Sequence, residues 1–414
     1  MPAKGGTPTL YRLPGLTPWS SSLRGRLPPV ERVIGVDPEA ELLFVRTPKR
    51  ELLALDLEGG RIDTVATDAT ESVLGPDGTL YSVDSKHKVS SLARRVRETW
   101  PQPLNGPARE LFGSSDQRLV AVVTGAHPEL VTVEADHPPV SRPLPAEGDV
   151  AASRWGDLVA IASDSGVILL DPLGRREAGF VRLDDHPRAL VFSPSAHRVY
   201  VGLRGALGLA VIDRFTAKEL DGIALPTPVS TIRLDPFGQW LLARPDVGDT
   251  AWVVNLPIKQ LVGGLPAVWR NDLPTVTPDG SLLAREGDDV AAFAPESLKE
   301  SGRVAGGASD FWITTSWGPR GAVSQSAQAT AADTGGGGGE EGPLYVQVSV
   351  SQNQTWSEQM AQQLTRAGLA AKVLPPTTAD EGFRVVLGPY TTRTQAEAIG
   401  RKLGRPYWIY RPGQ

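Results

Sequence analysis

The sequence predicts an all-β propeller of eight blades, followed across a glycine-rich tether by a small α+β, ferredoxin-like domain. Three observations carry this reading. The 414 residues include 44 Gly and 36 Pro but only 2 Met and no Cys. Gly and Pro disfavour helix by about 1 and about 3 kcal/mol each, so long helices are excluded from most of the chain. A turn of the form small-Pro-x-Gly recurs about every 40 residues up to residue 318. Five consecutive glycines, 335–339, then mark an abrupt change of sequence character, because such a run has the highest ordering entropy and packs no core.

The turns begin at Asp37, Gly75, Gly113, Ser153, Ser193, Asp235, Thr277 and Gly318, separated by 38 to 42 residues. Pro at the second place presets φ, and a later Gly accepts positive φ. Two short apolar runs follow each turn, as at 42–45 with 51–56, 158–162 with 166–171, and 199–203 with 209–213. They are β-branched and bounded by Gly, Pro and Asp, which reads as strand. One unit is therefore strand A, the turn, strands B and C, and a poorer outer strand D, the signature of a propeller blade. In period and turn this resembles the WD40/YVTN-like β-propellers over about 310 residues, without the Gly-His and Trp-Asp dipeptides of strict WD40 repeats. Seven units run from about Val30 to Gly307. An eighth is expected from both chain ends, with 310–317 as strand A, a weak strand B near Ala322, and 9–14 and 22–27 as C and D. Closure of that kind removes exposed sheet edges. Seven blades, with 311–317 as an extra strand, is the alternative. The expected boundaries are 1–323 for the propeller, 324–342 for the tether and 343–414 for the small domain.

No constellation in the propeller points to catalysis, so a non-enzymatic protein without cofactor or metal is expected. His87, His127, His137, His186 and His197 show no metal-ligand spacing, and three of the five precede Pro. The absence of Cys removes thiol nucleophiles and Cys-based zinc sites. No nucleophile elbow, phosphate loop or EF-hand loop is present. The pairs Asp184-Asp185 and Asp288-Asp289 read as solvated turns. Trp155, Trp240, Trp252, Trp269, Trp312 and Trp317 fall on or beside predicted strands, where packing between blades suits them. The net charge is −5, which gives no basic field for nucleic acid. That value is composite, since residues 343–414 carry +4 and the preceding residues −9. No run of 18 apolar residues occurs, so no spanning helix is expected. The first residues lack the apolar stretch of a secretory signal.

Residues 343–414 read as strand 344–350, helix 355–367 stopped by Gly368, strand 371–374, strand 383–387, helix from the capping-box spacing 394–397 to Leu403, and strand 407–410. Alternation points Val346, Val348 and Val350 to one face with Val385 and Leu387. Tyr345, Gln347 and Ser349 then face outward, beside Arg384.

The residues 345–348, Gly368, 384–390, Ala396 with Leu403, and Trp408-Ile409 resemble the SPOR domain, a peptidoglycan-binding family of bacterial division and envelope proteins. The resemblance implies binding of glycan strands whose stem peptides have been removed, in a groove across the open face of the sheet. Its binding positions carry over to Gln347, Arg384 and Ile409, and Tyr345 and Tyr407 complete the candidate face. Where the family has Gly-Ser-Phe this chain has Ser349-Val350-Ser351, so Ser349 or Ser351 must supply the hydroxyl. Removal of the peptide frees a lactyl carboxylate on each muramic acid, which Arg384 and the +4 charge suit. The partners implied are peptidoglycan glycan strands, with an unidentified protein on the propeller. The location implied is the periplasm or cell envelope. A cytoplasmic scaffold whose SPOR-like fold binds protein is the alternative, favoured by the missing signal.

Overall fold

A computed structural model of the protein describes residues 1–19, 23–93, 95–100, 102–114, 117–125, 127–134, 137–144, 148–154, 156–174, 179–235, 237–315, 317, 344–351, 354–366, 369–376, 383–391, 395–396, 399 and 408–410. The chain divides into two compact units, Met1–Thr315 and Ser316–Gln414. The expected tether 324–342 and the eighth turn at Gly318 lie outside the described residues.

In the first unit seven four-stranded antiparallel sheets follow one another, over 32–66, 69–99, 108–143, 150–182, 187–223, 229–266 and 275–304. In every one the small-residue turn read from the sequence joins strands A and B. The turns share their chemistry. Gly75, Ser153, Ser193, Asp235 and Thr277 each accept an N–H from the residue three further on, at 2.7–3.1 Å. Their own N–H groups donate back across the turn, as Ser193 to Arg198 at 2.8 Å and Thr277 to Ser281 at 2.8 Å. Asp235, buried, adds its carboxylate, which accepts from the N–H groups of Phe237, Gln239 and Trp240 at 3.2, 2.5 and 2.9 Å. The backbone groups of these turns are thus paired, as burial requires.

Strands A touch between the first and second, second and third, fourth and fifth, fifth and sixth, and sixth and seventh sheets, as the inner strands of a ring do. Apolar side chains fill the gaps between neighbouring sheets. Leu42 and Phe44 pack with Leu80, Tyr81 and Val83 with Leu119 and Ala121, and Val120 and Leu130 with Val159 and Ile161. Trp240 lies in the gap between the sixth and seventh sheets with Leu282 and Phe293, and Trp252 and Trp269 pack at the edges of such gaps. These tryptophans do pack between blades.

The eighth blade expected from the chain ends is not a four-stranded sheet among the described residues. In its place Tyr11–Arg12 pairs with Thr17–Pro18, Gly6 bridges Leu27, and residues 1 and 311 exchange two backbone hydrogen bonds. The expected strand at 310–317 forms no strand in its described part. Even so, both ends meet in the gap. Tyr11, Leu13, Leu16 and Trp312 cover Leu283, Val290 and Ala292 of the seventh sheet, and the rings of Tyr11 and Trp312 lie 5.3 Å apart. On the other flank Gly25 sits so close to the first sheet that a Cβ there would fall 2.4 Å from the Gly60 carbonyl. The expected strand B near Ala322 lies outside the described residues, and the described parts of the two ends meet this space as short, mostly irregular segments.

The second unit contains β1 (Leu344–Ser351), α1 (Gln354–Arg366), β2 (Ala371–Leu374), β3 (Phe383–Tyr390) and β4 (Trp408–Tyr410). The sheet order is β2-β3-β1-β4, all antiparallel, the arrangement expected for a βαββαβ chain. Buried Met360, Ala361 and Leu364 give α1 its apolar stripe, and Val346, Val348, Val385 and Leu387 are buried in the sheet. Most of the expected second helix lies outside the described residues.

Candidate functional site

One face of this sheet is built by the alternation of β1 and β3. Gln347 stands opposite Val386 on β3, and Lys372 of β2 stands opposite Val386 from the other side. Directly paired residues share a face, so Lys372, Val386 and Gln347 form a row across three strands. Arg384, two positions along β3, belongs to the same face and donates to Gln347 Oε1 at 3.0 Å. Tyr345, two positions before Gln347, is 6% exposed. Its hydroxyl accepts from Lys372 Nζ at 2.9 Å, and that ammonium lies 4.3 Å from its ring centroid.

The structure therefore brings together Tyr345, Gln347 and Arg384. It separates Ile409, which pairs with Val346 and so shares the valine face, half-buried. The register of β4 sets Trp408 opposite Gln347 and Tyr410 opposite Tyr345, and this one-residue phase was not readable from β4 alone. A register shift between Gln347 and Ser349 sets Ser349 opposite Val385, Val350 opposite Arg384 and Ser351 opposite Phe383. Strict alternation, which grouped Ser349 with Gln347, ends at that irregularity. Tyr407 lies outside the described residues. Lys372 was missed, although its place between Ala371 and Val373 in a short alternating strand already turned it outward.

The propeller carries its own polar centre on the inner strands. Arg32 of the first sheet bonds Glu71 of the second at 3.1 Å, and Arg109 of the third donates to the Gly148 carbonyl at 3.0 Å. Burial pushes the Glu110 carboxyl up to about 6, against the pull of Arg109, and the charges of Asp149 and Glu71 add to the rise. Asp149 is likewise raised by burial. Among the described residues no cluster of three or more His, Asp or Glu is placed to hold a metal ion. No helix among them is long and apolar enough to cross a membrane.

The SPOR domain family matches residues 340–406, the stretch that supplies β1, α1, β2 and β3. Residues 340–406 are a SPOR domain. Its presence indicates peptidoglycan binding and an association with the cell envelope and division. No curated protein sequence matches the chain significantly. Among solved structures, dihydro-heme d1 dehydrogenase NirN in complex with DHE is 13% identical with a TM-score of 0.54, over 70% of this chain and 69% of that one. AztD from Citrobacter koseri is 11% identical with a TM-score of 0.49, over 72% and 91%. The Cps50 (Swd1) beta-propeller domain from Myceliophteria thermophila is 11% identical with a TM-score of 0.42, over 64% and 95%. The first unit is a β-propeller, and at these identities the likeness is one of fold alone. The SPOR domain is the part of the chain that speaks to function.

Proposed function

We propose that the chain is a non-enzymatic peptidoglycan-binding protein of the bacterial cell envelope. Its SPOR domain docks on glycan strands stripped of their stem peptides, and residues 324–342 tether that domain to a propeller that displays or recruits a protein partner. The observation that carries this reading is the polar face itself. Gln347 and Arg384 are joined by a hydrogen bond on the side of the sheet that carries exposed Lys372, away from buried Val346, Val348, Val385 and Leu387. Such a face presents amide and guanidinium donors to sugar hydroxyls, and the guanidinium suits a carboxylate. Ser349 and Ser351 lie on the same strand, but the register shift sets them opposite Val385 and Phe383, off the row of Gln347, so the reading rests on Gln347 and Arg384. Support for a platform comes from the exposed apolar side chains of the fifth and sixth sheets. Leu207 and Val247 sit in their B–C loops, and Phe215 and Ile258 in their C–D turns. Rigid scaffolds commonly recognise partners through loops of this kind.

Co-sedimentation with purified sacculi tests the proposal. The protein should pellet with sacculi treated with an amidase that removes stem peptides and stay largely in solution with untreated sacculi. Negligible pelleting in both cases would remove the glycan reading and leave a SPOR fold that binds protein.

A further inference from the structure

We propose that Lys372 is a second carboxylate-binding cation of the SPOR face, held in position by Tyr345 and acting beside Arg384 on the lactyl carboxylates of denuded glycan; this rests on the glycan reading above. Tyr345 is too buried to serve as a stacking platform for a sugar. Its ring and hydroxyl instead fix the Lys372 ammonium, through a 2.9 Å hydrogen bond and a cation–π contact at 4.3 Å. An ammonium has three N–H donors, and one is used on Tyr345. Among the described residues no carboxylate pairs with Lys372. The side chain is exposed, so its remaining donors face solvent on the same side as Gln347 and Arg384.

The register fixes the spacing of the two cations. Lys372 opposes Val386 and Arg384 lies two residues from Val386, a diagonal pair whose roots stand about 7–8 Å apart. A cation strengthens a hydrogen bond to a carboxylate far more than one to a neutral hydroxyl. In intact peptidoglycan the muramic carboxyl is an amide to the stem peptide, and it becomes an anion only when that bond is cut. A pair of cations at this spacing would distinguish denuded from substituted strands by a carboxylate placed on the sugar itself, and the restraint on Lys372 lowers the entropy lost on binding.

The test uses the full chain with three probes: denuded glycan strands, the same strands with their muramic carboxyls reduced to alcohols, and untreated sacculi. Lys372→Ala should weaken binding to denuded strands about tenfold and flatten its salt dependence. Lys372→Arg should retain most of the affinity, and Tyr345→Phe, which keeps the ring but frees the ammonium from the hydroxyl, should lose a few-fold. Wild type should bind the reduced strands weakly, and Lys372→Ala should then make no difference. Unchanged binding of Lys372→Ala to denuded strands, or equal binding of wild type to reduced and unreduced strands, overturns this inference alone. Retention of wild type on untreated sacculi that disappears in Lys372→Ala would assign the anion to the stem peptide and also overturn it. No binding of wild type to any probe overturns both readings.

Discussion

Arg285 is 1% exposed and charged, and everything around it is arranged to satisfy that charge. Its guanidinium takes both oxygens of Asp272, at 2.8 and 2.7 Å, and the carbonyls of Ala308 and Asp310 at 2.8 Å. Asp272 also accepts from the Trp312 N–H at 2.8 Å, so the pair ties the seventh sheet to the segment that closes the ring. Removing one partner of such a buried pair typically costs about 3–5 kcal/mol. Arg285→Met should therefore lower the urea midpoint of the propeller strongly, and a midpoint within error of wild type would refute this role. Burial alone would raise the Asp272 carboxyl, but the Arg285 hydrogen bonds and the Trp312 N–H outweigh it and hold the group below its ordinary range. A depressed carboxylate contributes stability above its unfolded value, about 3.9, and that contribution is lost as pH falls through the folded value. Glu110 behaves in the opposite sense. Raised to about 6, mainly by burial, it binds more protons folded than unfolded, so stability declines as pH rises from about 4 to about 6. Glu110→Gln should raise the thermal midpoint above pH 7 and leave it nearly unchanged near pH 4. A pH-independent difference would show that charge is not the cause.

At the scale of elements, the repeated turn is the best-read feature of the sequence, and the reason is physical. Its chemistry is local, with a side chain, a proline and a glycine all within five residues deciding the geometry. Seven of the eight turns accordingly fall between strands A and B. Asp235→Ala removes an acceptor shared by three backbone N–H groups, and buried unpaired donors cost about 1–3 kcal/mol. Differential scanning calorimetry should find the midpoint lowered by several degrees, whereas Asp235→Asn, which keeps an oxygen acceptor, should recover much of it. Equal losses in both variants would point to charge instead. Cross-strand phase was less legible. The polar face of the small sheet followed from alternation up to Gln347, and the shift after it and the register of β4 depend on partners far along the chain. That is why Gln347 and Arg384 were placed together from sequence, while Ile409 was assigned to the wrong face and Lys372 was overlooked.

The whole propeller is closed by residues about 300 positions apart, and no local pattern announces how. Periodicity located the blades and even the meeting of the two ends, but not the irregular form of the closure. The N-terminal segment lies against the seventh sheet so tightly that a Cβ on Gly302 would come 2.2 Å from the Gly15 carbonyl. Ser301 also donates to the Pro14 carbonyl at 3.1 Å. Deleting residues 1–30 should uncover Leu283, Val290 and Ala292 and leave an exposed flank, which invites association between molecules. Size-exclusion chromatography should show self-association and urea unfolding a broadened transition; a monomer that unfolds as sharply as the full chain would mean that the ends are dispensable.

The central claim, that the SPOR face with Gln347 and Arg384 recognises denuded glycan, is tested most directly by titrating fluorescently labelled denuded strands with the full protein. Saturable binding that falls at least tenfold in Gln347→Ala/Arg384→Ala, with the fold of the variant intact by circular dichroism, is the expected result. Equal affinity of wild type and double variant, or no binding by either, would contradict it.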